Sequence, residues 1–166
     1  IGTRSAHRYG MKKELIMHEI HQQQAIELFN GSWDLLLKEK RSAEEENTLF
    51  NMVHASLYHW RKVGQPINIL RGEWMICHVY TLLSHKEEAM YHAKNVLRLM
   101  EEQKPTDWDL AYCYEAMARV YALWQNKEGF MQYHELAVKA GKEIAELESR
   151  QQFESDLADA NWFGMI

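Results

Sequence analysis

Apolar residues recur every three or four positions along almost the whole chain, the spacing that puts them on one side of a helix. Ile26, Phe29, Trp33, Leu36 and Leu37 form a first stripe, and Leu49, Val53, Leu57 and Trp60 a second. Ile69, Ile76, Tyr80 and Leu83 follow, then Ala89, Ala93, Val96, Leu97 and Met100. Leu110, Tyr114, Met117, Ala118 and Tyr121 make a fifth stripe, Phe130, Ala137 and Ile144 a sixth, and Phe153, Leu157 and Trp162 a short last one. The two prolines, Pro66 and Pro105, fall at breaks between stripes. No alternating strand pattern of useful length occurs. The spacing therefore predicts an all-α protein with helices over 13–40, 43–63, 69–83, 85–102, 107–124, 127–148 and 151–162.

Three helix starts carry capping signals. Ser42 is followed by Glu45 and Ser84 by Glu87, each a serine whose oxygen takes a first-turn amide while the glutamate reaches back. Asn126 is a third expected N-cap, and these starts recur every 42 residues. Equal intervals between alternate helix starts signal a repeated helix hairpin, and the short breaks at Leu83–Ser84 and Gln125–Asn126 predict antiparallel neighbours.

Trp74, Tyr80, Ala89, Ala93 and Val96 resemble a tetratricopeptide repeat, with large residues on the first helix and small ones on the second. Tyr121, Phe130 and Ala137 look like a poorer second copy. The period exceeds the tetratricopeptide one of about 34, and the position usually held by glycine is Cys77 in one copy and Ala118 in the other. The resemblance covers residues 14–148 and implies three antiparallel hairpins with a C-terminal capping helix. Separately, HASLYHW, VGQPIN, RGEW and DLAYCYEAMAR together are similar to a small family of helical-repeat proteins with no assigned activity.

Composition narrows the classes. Hydrophobic residues make up 46% and charged residues 26%, the balance of a folded domain. The net charge is −5 with bases and acids interleaved, and the basic run Lys38–Arg41 is followed at once by Glu44, Glu45 and Glu46, which argues against nucleic acid. No apolar run approaches the roughly 20 residues of a membrane span. Cys77 and Cys113 read as small buried residues of a reduced, cytoplasmic protein. Residues 1–10 show no helical period and are expected to be a flexible or vector-derived tail, leaving 11–166 as one helical-repeat domain.

Chemistry concentrates between His54 and Trp74. On α-helical spacing His54 and His59 fall on opposite flanks of their stripe, about 100° and 110° from its centre, so they are not a chelating pair. Glu73 lies on the apolar stripe of the following helix and needs donors if buried; His54, His59, Arg61 or a tryptophan N–H of the preceding helix are candidates. Asn68 is the expected N-cap of that helix, which places Glu73 near its positive end. Arg71, with Trp74 and His78, is placed on the groove side. The candidate binding set is His54, His59, Trp60, Asn68, Arg71, Glu73, Trp74 and His78, read either as a structural polar seam or as a pocket for an anionic or polar ligand.

Other candidates are weaker. His18 and His21 share a face but lack a third ligand in sequence, and the spacing of His78, His85 and His92 crosses a helix break. Paired Glu-x-x-His motifs, a phosphate loop, a nucleophile elbow and His-Glu-x-x-His are all absent. Trp108 and Trp124 fall off the main stripe of their helix and are expected in a groove or a homodimer contact. The expected function is an interaction or ligand-binding module whose partner is a protein, a peptide or a small polar or anionic ligand. No cofactor, metal or catalytic residue is expected. The alternative is a small hydrolase or metal-dependent enzyme centred on His54, His59 and Glu73.

Overall fold

The computed structural model describes residues 2–166, with side chains from residue 4. Among these residues there are seven helices and no strand: α1 (Gly2–Leu36), α2 (Ala43–Val63), α3 (Pro66–Leu82), α4 (Lys86–Gln103), α5 (Asp107–Leu123), α6 (Lys127–Lys142) and α7 (Leu147–Asp159). None of them is long and apolar enough to cross a membrane. The chain divides into two compact units, Ile1–Gly72 and Glu73–Ile166, with the boundary inside α3.

In the first unit α1 and α2 run antiparallel, since His21 meets His59, Ala25 meets Ser56 and Gly31 faces Met52. Leu49, Val53 and Leu57 of α2 and Leu36 of α1 are buried as their stripes predict, and small residues join them. Ala25, Ser32 and Ser56 are fully buried, while Ile26 and Leu37 of the expected stripe are exposed. Close approach of two backbones selects small side chains, and the serines satisfy themselves on carbonyls: Ser32 donates to Leu28 O at 2.7 Å and Ser56 to Ala25 O at 2.8 Å. Helix α1 extends back to Gly2, through the segment expected to be a tail, and ends at Leu36 rather than at residue 40. There Arg41 closes it, with Nη1 donating to the carbonyls of Leu35, Leu36 and Lys38. Ser42 then opens α2 with the full capping box to Glu45.

Helix α3 begins three residues earlier than the spacing predicts. Pro66 takes the first helical position, where its missing N–H costs nothing. Asn68 is consequently not the N-cap; from the third helical position its Oδ1 accepts the Gln65 amide at 2.9 Å.

In the second unit α5 is buried on nearly every side, through Ala111, Cys113, Ala116, Met117, Ala118, Val120 and Ala122. A single stripe was too narrow a description, because a helix apolar all round is an interior helix. Helix α6 lies antiparallel to it: Ala111 shares a cluster with Ala137, Ile144 and Phe153, and Ala118 and Ala122 share one with Phe130 and Trp162. The predicted helix over 127–148 stops at Lys142. The amides of Glu143 and Ile144 turn back onto Ala140 and Gly141, Ile144 enters the core, and Asp107 Oδ1 takes the Ala145 amide at 2.8 Å.

Ser84 does not cap α4. It occupies the left-handed region (φ 62°) at the end of α3, and the N-cap is His85. The His85 amide bonds Tyr80 O and the Ser84 amide bonds Thr81 O, the paired bonds of a Schellman ending. The same turn recurs 41 residues later: Gln125 has φ 56°, Asn126 N bonds Tyr121 O and Gln125 N bonds Ala122 O. A ring stack recurs in the same register, Tyr80 on His92 (5.8 Å, 13°) and Tyr121 on Tyr133 (5.5 Å, 6°). The structural period of the second unit is therefore 41, not 42. Asn126 caps α6 as expected, accepting from Gly129 N at 2.9 Å.

Gly141 gives a direct check on the α6–α7 packing. A Cβ there would stand 2.4 Å from the Phe153 ring. At an open helical site Gly→Ala stabilises by up to about 1 kcal/mol, whereas overpacking costs about 1–3 kcal/mol. Gly141→Ala is expected to lower the thermal midpoint; a rise would mean that the ring does not lie against the helix.

Candidate functional site

The candidate residues separate between the two units. In the first, His54 lies on the exposed side of α2, and Trp60 is half-buried, its carbonyl accepting the Gly64 amide at 2.6 Å. Arg71 is half-buried on α3. His59 meets His21 of α1, a partner the sequence did not suggest, at 2.8 Å between Nδ1 atoms. The ring centroids stand 5.1 Å apart, so the nitrogens approach nearly head-on. A metal would need both lone pairs to converge on a third point; a head-on approach fits one N–H donating to one lone pair. Burial, and then the neighbouring His21, hold the His59 imidazole below its ordinary range. Tyr58 packs edge-on against both rings, and Lys62 lies 5.2 Å from the Tyr58 ring centre. Beside the pair opens a cleft of about 540 Å³ bordered by Met17, His18 and His21 of α1 and Lys62 and Val63 of α2. Among the described residues, no group of three or more His, Cys, Asp or Glu is placed to hold a metal ion.

In the second unit Glu73 is 2% exposed, as its stripe position predicts. Its donors include residues of α4: His92 Nδ1 at 2.6 Å and Asn95 Nδ2 at 3.4 Å. Because α3 starts at Pro66, Glu73 lies two turns in, beyond the first turn where the helix dipole acts. Hydrogen bonds from α4, rather than the helix end, meet this carboxylate. His92 was legible only as part of a seven-residue recurrence of histidines, and its partnership with Glu73 comes from the hairpin register.

Trp74 and His78 stack face to face, 5.0 Å apart and 8° from parallel, and Trp74 Nε1 donates to Tyr112 O at 3.2 Å. The His78 ring keeps an edge near solvent, but its Nδ1 is shut away. Burial, with the Arg119 cation behind it, pushes this imidazole down to about 3. Sequence reasoning missed the other half of the cluster. Glu115 of α5 is 1% exposed and paired with Arg119 one turn on. Burial raises its carboxyl above the ordinary range while Arg119 opposes the shift. Tyr112 donates to Asp156 at 2.5 Å, and burial followed by that carboxylate raises the phenol. Cys77 and Cys113 are buried free thiols, both pushed up by burial to about 12, so neither is a nucleophile.

The two off-stripe tryptophans have different roles. Trp124 Nε1 donates to Lys86 O at 2.8 Å and carries the Lys86 ammonium 4.8 Å from its ring centre. It ties the end of α5 to the start of α4. Trp108 is 38% exposed and borders a cleft of about 390 Å³ with Tyr112 of α5 and Glu148, Ser149 and Gln152 of α7.

His78 sets an acid response. Folded, it protonates near 3; unfolded, near 6.5. The unfolded chain therefore binds the extra proton below about pH 6.5, and stability is lost as the pH falls from there. Glu115 works in the opposite sense, since the folded state keeps its proton at higher pH than the unfolded one. Replacing His78 with phenylalanine keeps an aromatic face for Trp74 and isolates the histidine contribution. Urea unfolding of His78→Phe between pH 7 and 5 is expected to show a shallower acid loss, by up to about 1.4 kcal/mol per pH unit. An unchanged pH slope would contradict a neutral His78.

Comparisons with protein-family models, curated proteins and solved structures find no match.

Proposed function

We propose that this chain is a tetratricopeptide-like helical-repeat module that binds a protein or peptide. The observation that carries the reading is the recurrence, 41 residues apart, of a Schellman turn and a ring stack in the same register. Such recurrence characterises arrays of helix hairpins, whose extended faces serve as binding surfaces. The antiparallel pairings of α1 with α2, α3 with α4 and α5 with α6 agree with three hairpins, and α7 with the expected capping helix. The engagement of Glu73 by His92 and Asn95 favours a structural seam over a catalytic carboxylate.

Trp108 marks the place for a peptide side chain. Its indole stands at 79° to the Tyr112 ring, at the edge of the α5–α7 cleft, and an exposed aromatic anchor beside polar groups is the usual centre of a binding surface. A display library of peptides screened against the full chain is expected to return binders that perturb the Trp108 indole resonance. Trp108→Ala is expected to weaken them at least tenfold, about 1.4 kcal/mol, with an unchanged melting temperature. A library without binders, or binders indifferent to Trp108→Ala, would contradict the reading.

A further inference from the structure

We propose that the cleft between α1 and α2 binds a small aliphatic carboxylate, and that the His21–His59 pair takes up a proton as it binds. The inference concerns the first unit and goes beyond the peptide reading, which rests on the second.

Charge and shape select the ligand. Lys13 and Lys62 line the cleft against the one carboxylate of Glu14, while Met17 and Val63 add apolar lining. That combination fits an anionic head with a short hydrocarbon tail. The titratable groups that line the cleft or pack against the pair are Lys13, Glu14 and His18 from α1 and Tyr58 and Lys62 from α2. Of these only His18 is a third imidazole, so the variants below are chosen to separate it from the pair.

The head-on contact explains why the pair is the proton acceptor. With both rings neutral, one Nδ1–H donates to the other Nδ1. A first added proton goes to the outer nitrogen of the donor ring, which leaves the contact intact and strengthens it as a charge-assisted hydrogen bond. A second would place two N–H groups face to face and break it. The pair therefore switches between zero and one positive charge without moving. Burial and the adjacent ring hold His59 below its ordinary range, and an anion beside the pair favours its protonated form. A carboxylate ligand is already ionised above pH 6, so the proton taken up on binding belongs to the protein.

Butyrate is the probe, and butyramide, of the same shape without the charge, is its control. Titrated into the full chain and followed by NMR, butyrate is expected to shift His21, His59, Met17 and Val63 saturably at pH 6, while butyramide does not. Affinity is expected to fall about tenfold between pH 6 and pH 8, the limit for one linked proton being tenfold per unit. Calorimetry at pH 7 in two buffers of different ionisation heat should show proton uptake that His59→Phe abolishes and His18→Gln leaves in place. Lys62→Gln, at an exposed position, provides a variant with little risk to folding and is expected to weaken butyrate at least threefold. Equal response to butyrate and butyramide, equal affinity at pH 6 and 8, proton uptake that follows His18, or indifference to Lys62→Gln would each overturn the proposal. None of these outcomes bears on the Trp108 cleft.

Discussion

A carboxylate removed from water has to be met by a donor, and the second unit is arranged around two of them. Glu73 and Glu115 are 2% and 1% exposed, on helices whose other buried residues are mostly apolar. Leaving either without a counterpart would cost several kcal/mol. Glu115 is met along its own helix by Arg119. Glu73 is met across the hairpin by His92 and Asn95, which fixes how α3 and α4 are rotated against each other. The contacts around them follow from those two solutions: Tyr80 stacks on His92, and Arg119 lies 5.8 Å from the Trp162 ring and helps hold His78 neutral.

The second copy solves the same register without charge. Forty-one residues after Glu73 and His92 stand Tyr114 and Tyr133, 6.3 Å apart, and Tyr121 stacks on Tyr133 as Tyr80 does on His92. A polar pair and an aromatic pair thus fill equivalent sites. This is why the cluster around Glu73 reads as part of the scaffold: the same register is filled elsewhere by two tyrosines. The first unit differs in kind. The buried polar groups of its helix pair are the hydroxyls of Ser32 and Ser56, each satisfied on a backbone carbonyl.

What could be read from the chain was what depends on neighbours in sequence. Helical spacing gave the all-α class and placed α2 and α5 to within a residue, and the Ser42 and Asn126 caps formed as their local chemistry requires. The burial of Glu73 was legible for the same reason. Errors arose where a backbone angle or a second helix decides. Ser84 has the sequence of a capping box, but the ending of α3 claims it for a left-handed turn, and the apparent 42-residue period followed from that misplacement. On α1 the stripe held at Leu36 and failed at Ile26 and Leu37, because large apolar residues signal burial whereas close approach selects Ala25 and Ser32. Glu115 escaped notice because an i,i+4 pair with arginine looks in sequence like an exposed surface pair. His59 was weighed against its own helix, and its partner is on another.

If the Glu73–His92 pair holds the α3–α4 hairpin together, a double-mutant cycle reveals it without reference to any ligand. Unfolding free energies at pH 7 for the parent, Glu73→Ala, His92→Ala and the double variant give the coupling between the two side chains. A stabilising coupling of about 1–3 kcal/mol is expected, the range for contacting residues in one polar network. Additivity to within about 0.5 kcal/mol, the behaviour of independent sites, would contradict it.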